Sequence, residues 1–484
     1  MSNGMLNKYY VYMYTNKLIK LMMLAAISMI AANELQSREL TLDSAIAVAL
    51  SNNNDVRIAQ LELDRANAAV KEAYGYAMPT VDFSTQFTHF IEKPKIPFPD
   101  FNSLLNNATY GVLFKEKIIP QDNTKLMPME TVLQSFALAN SYTATLQLQQ
   151  VLFSSTVFKG ISSAGVYQQL AREALVSKIN STISNVKKAF YGALLSQEVL
   201  KITKESLKNA EDNLASVQTL YKQGMVAEFD AMRAEVQVEN IRPLVLQMES
   251  NLETVLNNLK VVLGLPQEEN IQLIGEIQFA KIDIANESEM MKQARENNPD
   301  LKTLKVKRDF DEALIDLDIS TFYPTLAGFG SYSFSGSSDN FNFQNYRQAV
   351  VGLSLSINLF NGWRTTQKIE QGQINVMKTE ESIAQLENFI SAQIKSKMIE
   401  LKKIESNIQA QDRNVELASK TFEIAQLRYK NGTGNQLEIE NAEISLRQAK
   451  TNRLQSVYQY NTILFDINAL IGKVDQKYLK IKIN

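Results

Sequence analysis

Apolar residues recur every seven positions through Ile179, Val186, Ala193, Leu200, Leu207, Leu214 and Tyr221. A second set, Ile183, Phe190, Gln197, Lys204, Glu211 and Gln218, falls between them, so the spacing alternates four and three. This period predicts a left-handed coiled-coil seam on one helix, from about Ser155 to Gln223. Such a helix is on the order of 100 Å long. The second set turns polar after Phe190. A helix of this length cannot bury its stripe alone and needs neighbours.

The pattern is written twice. Asn52-Asn-Asn-Asp-Val56 opens a helical run that ends at Ala77-Met-Pro-Thr-Val81. Glu296-Asn-Asn-Pro-Asp-Leu301 opens a second run, ending at Phe322-Tyr-Pro-Thr-Leu326. Pro79 and Pro324 are 245 positions apart, as are Asp55 and Asp300. After each Pro-Thr the period moves towards two. Val81, Phe83 and Phe87 alternate with Asp82, Ser84 and Gln86, and Leu146 and Leu148 with Gln147 and Gln149. In the second half Tyr332 and Phe334 alternate with serines, and Val351, Leu353, Leu355, Ile357 and Leu359 with Gly352, Ser354, Ser356 and Asn358. Each half therefore predicts two strands with one apolar and one polar face. Strands of about nine residues suit an outer-membrane barrel; a soluble sheet on a core is the other reading.

Each half closes with two long helices. The first pair turns at Gly224 and returns to Gly264; the second turns at Asn431-Gly-Thr-Gly434 and returns to Gly472. Gly224 and Gly432 are 208 apart, as are Gly264 and Gly472. Glycine at such ends supplies a positive φ. Pro243 falls inside the first returning helix and predicts a bend. The halves differ most between their strands: Phe90 to Ala139 is a long, proline-bearing loop, read as external, and Gly336 to Gln348 a short one. The expected organisation is a signal peptide at 1–32, a first repeat at 40–264, a linker at 265–288, a second repeat at 289–473 and a tail at 474–484.

Composition narrows the function. The 50 basic and 52 acidic residues nearly balance, so no net field points to nucleic acid. With no cysteine and a single histidine, His89, cysteine nucleophiles, thiolate metal sites and a lipidated N-terminal cysteine are excluded, and an enzyme is a distant reading. No catalytic, cofactor or metal-ligating constellation is found. Lys17 and Lys20 precede an apolar run from Leu21 to Ala32 with the length of a secretion signal; cleavage is expected near Ala31 or Ala32, with Met13 an alternative start and an uncleaved anchor the other reading. Nothing else is long and apolar enough for a transmembrane helix, so any membrane crossing must be made by strands.

Two copies of helix, strand pair, long helix and returning helix behind a signal resemble the TolC family of outer-membrane efflux proteins. Asn297-Asn-Pro-Asp-Leu301, Tyr323-Pro-Thr-Leu326, Leu359-Phe-Asn-Gly-Trp-Arg364, Arg428-Tyr-Lys-Asn-Gly-Thr433 and Leu470-Ile-Gly472 carry the resemblance, which spans roughly 40 to 473. It implies a mixed fold of helices and membrane strands: a homotrimer with a twelve-stranded β-barrel, four strands from each protomer, continuing into a periplasmic helical coiled-coil barrel. Independently, four strands cannot close around a lumen, and open edges are not tolerated in lipid. The implied function is a passive export duct in the outer membrane. Its implied partners are outer-membrane lipid, a periplasmic adaptor protein and an inner-membrane efflux pump or ABC exporter. A periplasmic coiled-coil or adaptor-like protein without a pore is the alternative.

The resemblance also implies site residues. The turns between long helices would dock the adaptor through Gln223, Gly224, Met225, Asn431, Gly432 and Thr433; the other reading is two hairpin turns that need glycine anyway. The periplasmic end would be held shut by Tyr429 pairing with Asp230. Glu438 would contribute to an acidic ring that favours cations and could bind divalent ions. Two positions depart from the family pattern: Asn441 stands where an acid is expected, and Gly434 where an arginine is.

Overall fold

The computed structural model describes residues 38–282, 286–473 and Tyr478. The expected signal segment lies outside the described residues, as does all of the expected tail but Tyr478. In chain order the first half contains β1 (Arg38–Leu40), α1 (Leu42–Asn52), α2 (Asn54–Gly75), β2 (Thr80–His89), β3 (Ile96–Pro99), α3 (Phe101–Lys115), β4 (Thr131–Gln134), β5 (Asn140–Ser154), α4 (Ser155–Lys222) and α5 (Glu228–Leu263). After them come β6 (Ile271–Leu273), α6 (Glu287–Asn297), α7 (Pro299–Ser320), β7 (Thr325–Ser338), β8 (Gln344–Ser356), α8 (Arg364–Lys430) and α9 (Gln436–Leu470). The chain divides into two compact units that cut across the sequence repeats. One takes residues 70–163 and 315–370, and the other takes the rest.

The first unit holds an antiparallel sheet of order β2-β5-β7-β8. Its register aligns the apolar sets expected from sequence. Val81 pairs with Leu148 and Phe83 with Leu146, while Leu146 also pairs with Tyr332, and Gly330 with Val351. Phe83, Val351, Leu353 and Leu355 on this face are all at least 70% exposed, so none of the described residues covers them. On the opposite face Thr145 and Ser333 hydroxyls lie 2.9 Å apart, and Ser335 donates to Thr143 at 3.2 Å. The strands are longer than expected towards the loops, and the second-half loop contracts to 339–343. At the other end β8 stops at Ser356, so Ile357 and Leu359 fall beyond it. The long segment 90–139 is not plain loop. It contains α3 and a hairpin of β3 on β4. Lys93 Nζ and the Ala139 N–H both donate to Asp339 Oδ1, at 2.5 and 2.8 Å, and fasten its root to the second-half loop.

The second unit is helical. Ile179, Val186, Ala193, Ile183 and Phe190 are buried, as the heptads require, against Leu259, Leu263, Ile394, Ile408, Tyr460 and Ile467. Two polar seam positions, Lys204 and Glu211, are used in cross-helix pairing. Lys204 meets Glu249 at 2.7 Å and Glu211 meets Arg242 at 3.9 Å, both on α5. Tyr221, the last seam residue, is 42% exposed. The helix α5 continues through Pro243. Within the linker, β6 pairs in parallel with β1, Leu40 opposite Leu273, a contact that neither segment announces in sequence.

Candidate functional site

The helix ends nearest the turns are built from local backbone chemistry. At the end of α4, Gly224 adopts φ 73°, its N–H bonds to Tyr221 O at 2.9 Å, and Met225 N–H bonds to Leu220 O at 2.9 Å. At the end of α8, Gly432 adopts φ 72°, bonds to Tyr429 O at 3.0 Å, and Thr433 N–H bonds to Arg428 O at 2.9 Å. Both are Schellman closures, which satisfy otherwise orphaned carbonyls. All six residues expected at the tips, Gln223, Gly224, Met225, Asn431, Gly432 and Thr433, are exposed.

The turns differ in how the next helix starts. Ala227 caps α5 with no side-chain bond. Asn435 caps α9, its Oδ1 accepting from Glu438 N at 3.0 Å. Glu438 is also paired: Arg428 Nη1 lies 3.0 Å from its Oε2, and Arg428 Nη2 donates to Thr433 O at 3.1 Å. One arginine thus clips the whole second turn. This accounts for Gly434. A Cβ there would lie 3.0 Å from both Arg428 Cβ and Tyr429 N, so a larger residue is crowded by the turn itself.

The expected hydrogen bond between Tyr429 and Asp230 is not made within the protomer. The Tyr429 hydroxyl is buried with no hydrogen-bond partner. Its ring packs in a small apolar cluster with Phe422, Ala425, Ile439, Ala442 and Leu446, which holds it between α8 and α9. Burial, and then the charge of Asp230, raise the phenol above its ordinary pKa. The two groups therefore feel each other without bonding.

Two features were not read from the sequence. Arg233 on α5 reaches Glu440 on α9, Nε to Oε2 at 3.4 Å, and joins the returning helices behind the turns. Neither residue belongs to a motif, so only tertiary proximity reveals the pair. Met225, Phe229, Met232 and Val236 are each between 58% and 70% exposed. Phe229, Met232 and Val236, spaced three and four apart, lie on one face of α5, a signal that was present in the sequence, and Met225 precedes them in the turn.

The model of the family described as "Outer membrane efflux protein" matches residues 133–265 and 290–473. The chain belongs to this family. The match takes in β5, the long helix pairs and β7–β8, and leaves out β2, the insert's helix α3 and the β6 linker region. Its curated relatives include the alkaline protease secretion protein AprF of Pseudomonas aeruginosa, 22% identical over 71% of this chain and 72% of that protein. Outer membrane protein TolC of Escherichia coli K12 is 21% identical over 70% and 71%. Among solved structures, the CmeC outer membrane channel of Campylobacter jejuni superposes with a TM-score of 0.68 over 91% of this chain and 89% of that one, at 16% identity. The fold of helices and strands is thus shared with outer membrane efflux channels. The protein is an outer-membrane efflux channel, and the pore-less coiled-coil alternative is set aside.

Proposed function

We propose that three copies of this chain form one export duct, in which each supplies four strands to a shared twelve-stranded barrel and its helices to a periplasmic tunnel. The observation that carries this reading is the sheet. Among the described residues its outer strands β2 and β8 have free edges, and one face is apolar and uncovered. The apolar face suits lipid, where the free edges would be costly unless they pair between copies. The duct is passive: energy comes from an inner-membrane pump or ABC exporter, joined through a periplasmic adaptor. The tips Gln223, Gly224, Met225, Asn431, Gly432 and Thr433 receive that adaptor. The exposed stripe of Met225, Phe229, Met232 and Val236 supports this, because an apolar row of that length calls for a partner. Tyr429, Asp230 and Glu438 act at the gate, where the free Tyr429 hydroxyl finds its acceptor only in the closed assembly.

Purified protein in planar bilayers tests the proposal, with mass measured in detergent. A trimer of small conductance is expected. A detergent-free, water-soluble monomer, or well-folded trimers that never conduct, would sink it.

A further inference from the structure

We infer that Asp82 makes the barrel itself cation-selecting, independently of any acid at the gate; this rests on the trimeric duct proposed above. The register decides which side chains share the polar face. Asp82 pairs with Gln147, Gln147 with Ser331, and Ser331 with Val350. The rows on either side run Thr80, Gln149, Phe329, Gly352 and Ser84, Thr145, Ser333, Gln348. Further along come Gln86, Thr143, Ser335 and Tyr346. Across the four strands this face therefore carries mostly amides and hydroxyls, with Phe329 and Val350 among them, and a single ionised group. The other charged residue of the strands, Arg347, belongs to the apolar face, where it stacks on Phe334.

If the apolar face meets lipid, the polar face meets water in the lumen. Three copies then place three Asp82 carboxylates around an otherwise neutral wall. Asp82 is the third residue of β2, so the ring stands at the mouth where α2 delivers the chain to the sheet. No lumenal cation of the strands offsets it. A ring of fixed negative charge raises the local concentration of cations and repels anions. The lumen of a twelve-stranded barrel is wide, so the effect reaches its centre only when the screening length is comparable to the radius. That length is about 10 Å at 0.1 M salt and about 3 Å at 1 M. Selection by Asp82 is accordingly a low-salt property. The cargo it favours is cationic or zwitterionic, and polyanions are disfavoured.

The test is the reversal potential of reconstituted trimers across a KCl gradient, in a Glu438→Gln background so that the tip acid is silent. Asp82→Asn should lower the cation-to-anion permeability ratio at least about twofold near 0.1 M salt and far less near 1 M. The protein has no cysteine, so Asp82→Cys introduces its sole thiol. The thiolate attacks a methanethiosulfonate, forming a mixed disulfide and releasing methanesulfinate. An anionic sulfonatoethyl reagent should restore cation preference, and a cationic aminoethyl reagent should reverse it. These labels act on one folded channel, so misfolding cannot mimic the result. Conducting trimers whose reversal potential ignores both Asp82→Asn and the sign of the label would overturn the inference and leave the duct standing. Trimers that never conduct would overturn both.

Discussion

Asn298 Nδ2 donates to the Leu470 carbonyl at 2.9 Å. Its Oδ1 accepts from Leu301 N at 3.0 Å, so one side chain caps α7 and holds the end of α9. The first repeat does the same: Asn53 Nδ2 reaches Val262 O at 3.0 Å, while its Oδ1 accepts from Asp55 N at 2.9 Å. The Asn-Pro-Asp and Leu-Ile-Gly motifs, far apart in sequence, are therefore two sides of one joint.

Asn298 is 3% exposed, so removing it leaves a cavity, takes the side-chain donor from the Leu470 carbonyl and uncaps α7. Asn298→Ala should cost roughly 2–3 kcal/mol. Asn298→Asp keeps the cap and loses the donor, and should cost less. Denaturant midpoints of the detergent-solubilised protein separate the two.

The four helix-end glycines should not be equivalent. Gly224 and Gly432 have positive φ and open space around them, so alanine there should cost about 1 kcal/mol. Gly264 and Gly472 have the same φ, but an added Cβ would lie 2.6 Å from Asn52 O and 2.2 Å from Asn297 O. Those contacts are to backbone, which cannot turn aside. Gly264→Ala and Gly472→Ala should abolish the folded protein, as measured by its yield from the outer membrane, while Gly224→Ala and Gly432→Ala retain it.

Tyr429→Phe removes a buried hydroxyl that has no partner within the protomer. Protomer stability should hold or rise by up to about 1 kcal/mol. If the hydroxyl bonds in the closed assembly, conductance should nevertheless increase, and it should do so again in Asp230→Ala. Unchanged conductance in both variants would remove the gate and leave the channel.

Arg428 and Glu438 are partly exposed, with side-chain exposures of 52% and 35%. Their ion pair should contribute under about 1 kcal/mol. Arg428→Ala should therefore leave the thermal midpoint nearly unchanged while freeing the Glu438 charge. Cation preference should rise in Arg428→Ala and fall in Glu438→Gln, as read from reversal potentials.

The Lys93 side chain and then the Ala139 N–H hold the Asp339 carboxyl below its usual pKa. A depressed folded pKa contributes stability that is fully present above the unfolded value, about 3.9, and is lost as pH falls through the folded one. The insert root should loosen only below that range. Protease nicking within 90–139 of the intact protein, scored against pH, checks this. Asp339→Asn should be nicked readily at neutral pH.

The sequence by itself determined the repeat, the long helices, the four strands and which face of each is apolar. Those follow from periods of seven and two, because each residue's face is set by its own position along a regular element. The tip turns were legible for the same reason, since a positive φ is a local demand that glycine meets. Only the tertiary structure decided what crosses between elements. The joint of Asn298 with Leu470, the pair of Arg233 with Glu440 and the strand β6 on β1 depend on distances that no local period encodes. The insert helix α3 lay hidden because its Asn106 and Asn107 bond the backbone at Lys125 and Met127, while apolar Phe101, Leu105 and Val112 stay exposed, the reverse of the usual pattern. The packing of the Tyr429 ring against Phe422, Ile439 and Leu446 is likewise a contact between helices, which no local period encodes.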